Sequence, residues 1–287
     1  MQYLKTYLNK IIARGNEKLA ESISKTAEDI GKSYISTFSF TSHEIGLLFG
    51  NVQSGKTGQM FGILCKAADL GFPAFLILTT DNVVLQAQTL ERVKSDLEGF
   101  CICGEDDTGL FVENSLIQPA IIILKKNSRV LRKWANIFNT TGFMKGNQFS
   151  SINKYLNSIK NGATSSLYLQ VTGTPQAILL QTMASGWHPY FTYYFQPGSA
   201  YLGGDFFFPS SQKPDCITFL ETVKEDTKEA VLRHITVSAQ VLASGGKVCN
   251  GLIHPSVRQS AHNTYAKDVK KVLEWCKANN AEFKAEI

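Results

Sequence analysis

Apolar and polar positions fall in blocks along this chain, and the period changes from block to block. Near the start, Leu4, Tyr7, Leu8, Ile11 and Ile12 recur at helical spacing, which predicts a packing helix. Residues 1–40 read as helical and give way to a Ser- and Thr-rich stretch from Ser36 to Ser42. Continuous apolar runs follow at Ile45–Phe49, Pro73–Thr80, Pro119–Lys125 and Ser166–Thr172, each of a length suited to a strand buried on both faces. Helical segments separate them: Met60–Leu70, Asn82–Leu97, a basic Arg129–Phe138 and a polar-faced Ser150–Lys160. Cys101–Glu113 is acidic, contains glycine and is expected to be a loop. Strands alternating with helices imply an α/β fold, a parallel sheet with helices on both faces. Trp187–Phe208 is aromatic and glycine-rich but carries no lysine or arginine. It reads as a packed connection, with stacking of single-stranded bases as the other reading. The last segment, Glu225–Ile287, reads as helix, strand (Val248–His254), helix. That is too little to bury a sheet face alone.

The first apolar strand runs into Gly50-Asn-Val-Gln-Ser-Gly-Lys-Thr57. This segment fits the phosphate-loop pattern G-x-x-x-x-G-K-[ST] at every fixed position and sits between a strand and a helix, as that pattern requires. Gly50 and Gly55 permit the tight turn that aims successive N–H groups at a phosphate. The expected nucleotide-binding set is Gly50, Gln53, Ser54, Gly55, Lys56, Thr57 and Gly58. Lys56 is expected to reach the β- and γ-phosphates, and the Thr57 hydroxyl to take one position on Mg²⁺. The expected cofactors are therefore ATP and Mg²⁺, with Lys56 and Thr57 in the catalytic roles. The competing reading is a glycine-rich turn with an accidental lysine. Ligands of parallel sheets sit at the carboxyl ends of the strands, which adds Thr79–Asp81 and Thr172–Pro175 as candidate site segments.

Composition narrows this picture only a little. A length of 287 residues suggests about two domains. Mean hydropathy is −0.07, and no apolar run reaches the roughly 18 residues that a membrane span needs. The six cysteines are scattered, several inside apolar runs, as expected of reduced thiols in a cytoplasmic protein. Cys101 and Cys103 have no matching second pair, which argues against a zinc site. The net charge of +5 permits a polyanionic partner without demanding one. Its most concentrated part is Lys125, Lys126, Arg129, Arg132 and Lys133, at a strand end and the start of a helix. These residues are candidate contacts to nucleic-acid phosphates, against the alternative of a solvated charged face. No clustered carboxylates with a lysine mark a nuclease centre, and the five histidines are dispersed.

Several segments together resemble the Z-one domain family of bacterial helicase-like ATPases, putative endonucleases of restriction and phage-defence systems. Gly50–Gly58, Ala120–Asn127, Tyr168–Ala177, Tyr201–Phe207 and Leu252–Arg258 carry the likeness, in order, over about residues 45–265. The resemblance implies a P-loop, RecA-like first domain at 43–212, following an N-terminal helical segment at 1–42. A partial second RecA-like domain or C-terminal subdomain would occupy 213–287. It also implies that DNA is bound and that a nuclease or another defence-system protein is a partner. Thr172, Gly173 and Thr174 would couple the nucleotide to the bound strand. A strand-ending turn is the alternative for that segment.

One element of that pattern is missing from the sequence. Such ATPases need an apolar strand ending in an acid that helps to hold Mg²⁺ and orient water. By resemblance it belongs between the basic helix and the Ser150–Lys160 helix. There the chain reads Phe143-Met-Lys-Gly-Asn-Gln-Phe-Ser150, without a carboxylate. Asp81 and the group Glu105, Asp106 and Asp107 are weak substitutes, better read as loop acids. Either the protein lacks the element or a segment is absent near Gly146–Gln148, and the matching flanks favour the second. The expected activity is ATP hydrolysis coupled to DNA. The alternative is a structural or switching module that binds ATP without turnover and acts through protein partners.

Overall fold

The computed structural model describes residues 2–51, 53–140, 159, 162–163, 165–175, 189–207, 227–253 and 259–279. The chain divides into two compact units, Met1–Phe206 and Phe207–Ile287.

The first unit is mixed α/β, with two small parallel sheets and helices packed on them. Helices α1 (Tyr3–Ala13) and α2 (Glu17–Ile30) come first, and a π-helical turn at Gly31–Ile35 extends α2. Strand β1 (His43–Phe49) leads through the phosphate-loop segment into α3 (Lys56–Asp69). Then come β2 (Ala74–Thr79), α4 (Val83–Asp96), β3 (Cys101–Cys103), α5 (Thr108–Asn114), β4 (Ala120–Lys125) and α6 (Ser128–Thr140). Strands β5 (Ser166–Thr172) and β6 (Phe191–Tyr194) follow.

One sheet has the order β5-β1-β6 and the other β2-β4-β3. Strand β1 is central in the first: Phe49 lies opposite Thr172 on one side and Tyr194 on the other. In the second, β4 is buried on both faces, and its side chains alternate as period-2 geometry dictates. Ile121 and Ile123 join a core with α1, α2 and α3, whereas Ile122 and Leu124 join one with Phe111, Leu131 and Trp134 from α5 and α6. Helices therefore cover both faces of this sheet, and its continuous apolar run follows from that. A third core joins Leu48, Phe191 and Phe195 of the first sheet to Ile30, Ile35, Ile63 and Ala67.

The N-terminal helices are built into this unit. The N–H groups of Tyr3 and Leu4 donate to the two carboxylate oxygens of Asp69, at 2.7 and 3.1 Å. A carboxylate at a helix N-terminus satisfies otherwise unpaired donors and complements the helix dipole. Ile23, fully buried, lies on Gly58 and Gly62 of α3, where a methyl group at either position would meet it at 3.0 and 2.4 Å.

Five expectations need correction or placing. Cys101–Glu113 is not a loop throughout: Cys101–Cys103 pairs with β4, and Thr108–Asn114 is helical. The strand needs only three residues because pairing with the buried β4 supplies its stability. Residues 248–253 form no strand, and His254 lies outside the described residues. The aromatic stretch is not wholly irregular, since Phe191–Tyr194 forms β6. Phe143–Ser150 falls outside the described residues, as does nearly all of the helix expected over Ser150–Lys160.

The second unit contains α7 (Thr227–Ala243) and α8 (Gln259–Ala278). These helices pack on each other, with Val231, Leu232 and Cys276 buried. The Lys228 ammonium stands 3.7 Å above the Trp275 ring, within cation–π range.

Candidate functional site

The site begins where β1 ends. Gly50 cannot carry a side chain here, because a Cβ would come within 2.4 Å of the fully buried Phe195 ring. Gly46, two repeats of the pleat earlier, is pressed in the same way by Phe191, at 2.2 Å. The aromatic residues of β6 and its exit thus support the base of the loop from beside β1.

The loop then makes two left-handed steps. Gln53 has φ 58°, the sole positive value at a non-glycine among the described residues, and Gly55 has φ 87°. A side chain at such a φ is strained, and strain of this kind persists where surrounding structure enforces it. Left-handed residues alternating with right-handed ones turn consecutive N–H groups toward one point and so make an anion-binding concavity. The Ser54 side chain is buried and donates to the Asn51 carbonyl at 2.5 Å, which fixes the turn.

Lys56 and Thr57 open α3, at the positive end of its dipole. The Lys56 ammonium donates to the same Asn51 carbonyl, at 2.8 Å. Burial lowers its pKa from the ordinary lysine value. It pairs with no carboxylate among the described residues, so its contact is with a neutral oxygen. Gly58 and Gln59 are buried in the first turn, with Gly58 under Tyr7 and Ile23 of the N-terminal helices, while Leu19 lies against Gly55. Gln59 donates to the Ser22 hydroxyl at 2.8 Å, and Ser22 donates to the Gln196 carbonyl at 2.5 Å. This relay ties the loop helix to α2 and to the segment after β6.

Thr172–Pro175, expected at a strand end near the loop, is there. The Gly50 N–H donates to the Thr172 carbonyl at 3.3 Å. Gly173 faces Lys56 closely, so that a Cβ at that position would lie 2.9 Å from Nζ. The Thr172 hydroxyl accepts from the Thr174 N–H at 3.1 Å, a local turn bond. The structure therefore brings Gly50 and Lys56 of the loop against Thr172 and Gly173, with Thr174 in the turn that follows.

The basic group lies at the end of β4, in the other sheet. There the acids of the 104–107 turn meet it. Glu105 accepts from the Lys125 N–H at 3.0 Å and pairs with its ammonium at 3.5 Å, with both side chains largely buried. Lys133 pairs with Asp106 at 3.0 Å and also donates to the Glu105 carbonyl, which takes the Trp134 indole N–H as well. Lys126, Arg129 and Arg132 complete the group, and Arg129 lines a pocket with Lys125, Asn127, Ser128 and Val130. Asp81 accepts from the Asn127 side chain at 3.3 Å. Sequence reading treated the acids and bases of this region separately. Residues 20 to 28 positions apart give no local signal that they will pair.

Sequence reasoning also gave Asn51 no role within the loop and missed Tyr194 and the N-terminal helices as its neighbours. The Tyr194 hydroxyl donates to the Asn51 side-chain oxygen at 3.2 Å. That pairing depends on β6 lying beside β1, 143 positions away. No group of three or more His, Cys, Asp or Glu suited to a metal occurs among the described residues. No helix among them is long and apolar enough to cross a membrane.

The fold and loop define a mixed α/β protein with a strained, glycine-supported turn between a central strand and a helix. Comparison with protein-family models, with curated proteins and with solved structures found no match.

Proposed function

We propose that this chain binds ATP with Mg²⁺ at Gly50–Thr57, as the RecA-like nucleotide-binding core of a helicase-like, DNA-associated ATPase. One observation carries the reading. The segment that fits the phosphate-loop pattern adopts alternating left-handed steps at Gln53 and Gly55 and presents Lys56 at the start of a helix. The residues fit the group: the start of α3 at Lys56 suits phosphate oxygens, the Ser54 N–H would exchange the Asn51 carbonyl for one, and Thr57 is half-buried in the first turn, where a hydroxyl can take a metal position. Bound Mg²⁺ would neutralise phosphate charge and orient the terminal phosphate. Lys56 would exchange the neutral Asn51 carbonyl for a phosphate oxygen, a stronger charge-assisted partner. Gly173 leaves room for that side chain to move. By its place beside Lys56, the Thr172–Thr174 turn would sense whether the lysine has moved.

Turnover is a separate matter. Glu105 and Asp106 are engaged with Lys125 and Lys133, which favours structural roles for both. That observation supports the second reading, a module that binds ATP as a switch. Both readings share the cytoplasmic setting, the membership of a Z-one-like defence system and the protein partner. They part on one experiment. Mg-ATP should raise the melting temperature of the wild type and leave Lys56→Ala unchanged, while phosphate release is followed with and without DNA. DNA-stimulated release supports the ATPase; stabilisation with background release supports the switch. No stabilisation and no release would contradict both.

A further inference from the structure

We infer that Tyr194, together with Asn51, forms the nucleoside-binding end of the site, with the base lying against the exposed Tyr194 ring. The inference rests on the phosphate-loop reading above and extends it to the other end of the ligand.

The argument is one of direction. Lys56 serves the terminal phosphates, and its ammonium lies next to Gly173, on the β5 side of β1. The nucleoside end must then leave toward the other neighbour of β1, which is β6. Thr172 and Tyr194 flank Phe49 in register, so they stand two strand spacings apart, about 9–10 Å. Tyr194 is therefore the residue placed on the far side of the loop at the same level.

Its environment suits a stacking surface. The ring is 40% exposed although it stands at a strand end whose neighbours, Phe191 and Phe195, are buried. One contact is with the Phe49 ring, at 5.1 Å between centroids, and the hydroxyl is fixed on the Asn51 side chain. An aromatic ring held at both ends loses little freedom when a base stacks on it. Strand alternation turns Tyr194 to the face opposite Phe191, Tyr193 and Phe195, which pack toward α2 and α3, so helix packing does not cover the ring. A ring face accepts any base by its π-face and offers little hydrogen-bond readout, so the site should favour nucleoside triphosphates over bare triphosphate without strong choice among bases.

The test compares calorimetric affinities for Mg-ATP and for magnesium tripolyphosphate in the wild type, Tyr194→Ala, Tyr194→Phe and Lys56→Ala. The wild type should bind ATP more tightly than tripolyphosphate. Tyr194→Ala should lose about tenfold in ATP affinity while tripolyphosphate affinity holds, and Tyr194→Phe should keep both. Lys56→Ala should weaken both ligands. Equal losses for the two ligands in Tyr194→Ala would mark a structural role and overturn the subsite. A loss in Tyr194→Phe as large as in Tyr194→Ala would overturn stacking too, because it would follow the hydroxyl. If Lys56→Ala weakens ATP and Tyr194→Ala does not, only the subsite fails. If the wild type binds neither ligand, the phosphate-loop reading fails and the subsite with it.

Discussion

The two sheets of the first unit end in contrasting ways. At the end of β1 the chain takes strained left-handed steps, and Lys56 faces a main-chain carbonyl in a partly desolvated place. At the end of β4, Lys125 and Lys133 face carboxylates supplied by the 104–107 turn. Both ends are strand–turn–helix junctions, and both carry lysines. The difference is the partner. An ammonium on a carboxylate is already compensated, whereas an ammonium on a neutral carbonyl gains by exchanging it for an anion. Counting basic residues along the chain therefore overstates the charge free at β4 and understates the importance of the single lysine at β1.

This contrast breaks if the β1 end tolerates change as well as the β4 end does. The largest effect is expected from Gly46→Ala, whose new methyl would drive into the buried Phe191 ring. Overpacking of this kind costs about 1–3 kcal/mol and should lower the melting temperature by several degrees. Gly109→Ala, in α5 with open space around it, should be neutral or stabilising by up to about 1 kcal/mol. Equal melting temperatures for the two variants would refute the close packing under the loop.

The β4 end can be sharpened by separating its two acids. Glu105→Ala removes a largely buried acceptor that serves both the main chain and the ammonium of Lys125, and should cost about 1–3 kcal/mol in urea unfolding. Asp106 has a side chain 96% exposed, and Asp106→Ala should stay within about 0.5 kcal/mol of wild type. If the two variants behave alike, Glu105 is not the organising acid of that turn.

A smaller effect concerns the first sheet's attachment to α2. Burial, and then the hydrogen bond to Asp29, push the Tyr193 hydroxyl from the usual 10.0 up to about 12. The folded state favours the protonated phenol. Its contribution is full below pH 10 and declines as pH rises from 10 toward 12. The stability gap between wild type and Tyr193→Phe should therefore narrow over that window, with a tyrosinate absorbance step near pH 12 that the variant lacks. A step near pH 10 in the difference between wild type and variant would show that the contact is not formed in solution.

How far the sequence could be read follows from the same physics. The strand ending in Thr172 was legible to the residue, and β1, β2 and β4 to within two, because each writes a continuous apolar run, although only β1 and β4 are largely buried and β2 and β5 only partly so. The three-residue β3 was not legible, since its stability comes from β4 rather than from its own pattern. Nor was the order β5-β1-β6, which decides that Thr172 and Tyr194 both reach the loop. Local periodicity carries no information on which distant strand will be a neighbour. The loop itself was legible because its glycines, lysine and threonine are fixed by local geometry. Ser22, Gln59 and Gln196 were not, because their relay joins three elements that only the tertiary fold brings together.

Titration calorimetry with Mg-ATP on the wild type and on Lys56→Ala tests the central claim most directly. The account predicts saturable binding near one site per chain, weakened about 10- to 100-fold by Lys56→Ala, as loss of a hydrogen-bonded charge implies. Absence of binding in the wild type, or equal affinity in the two proteins, would contradict it.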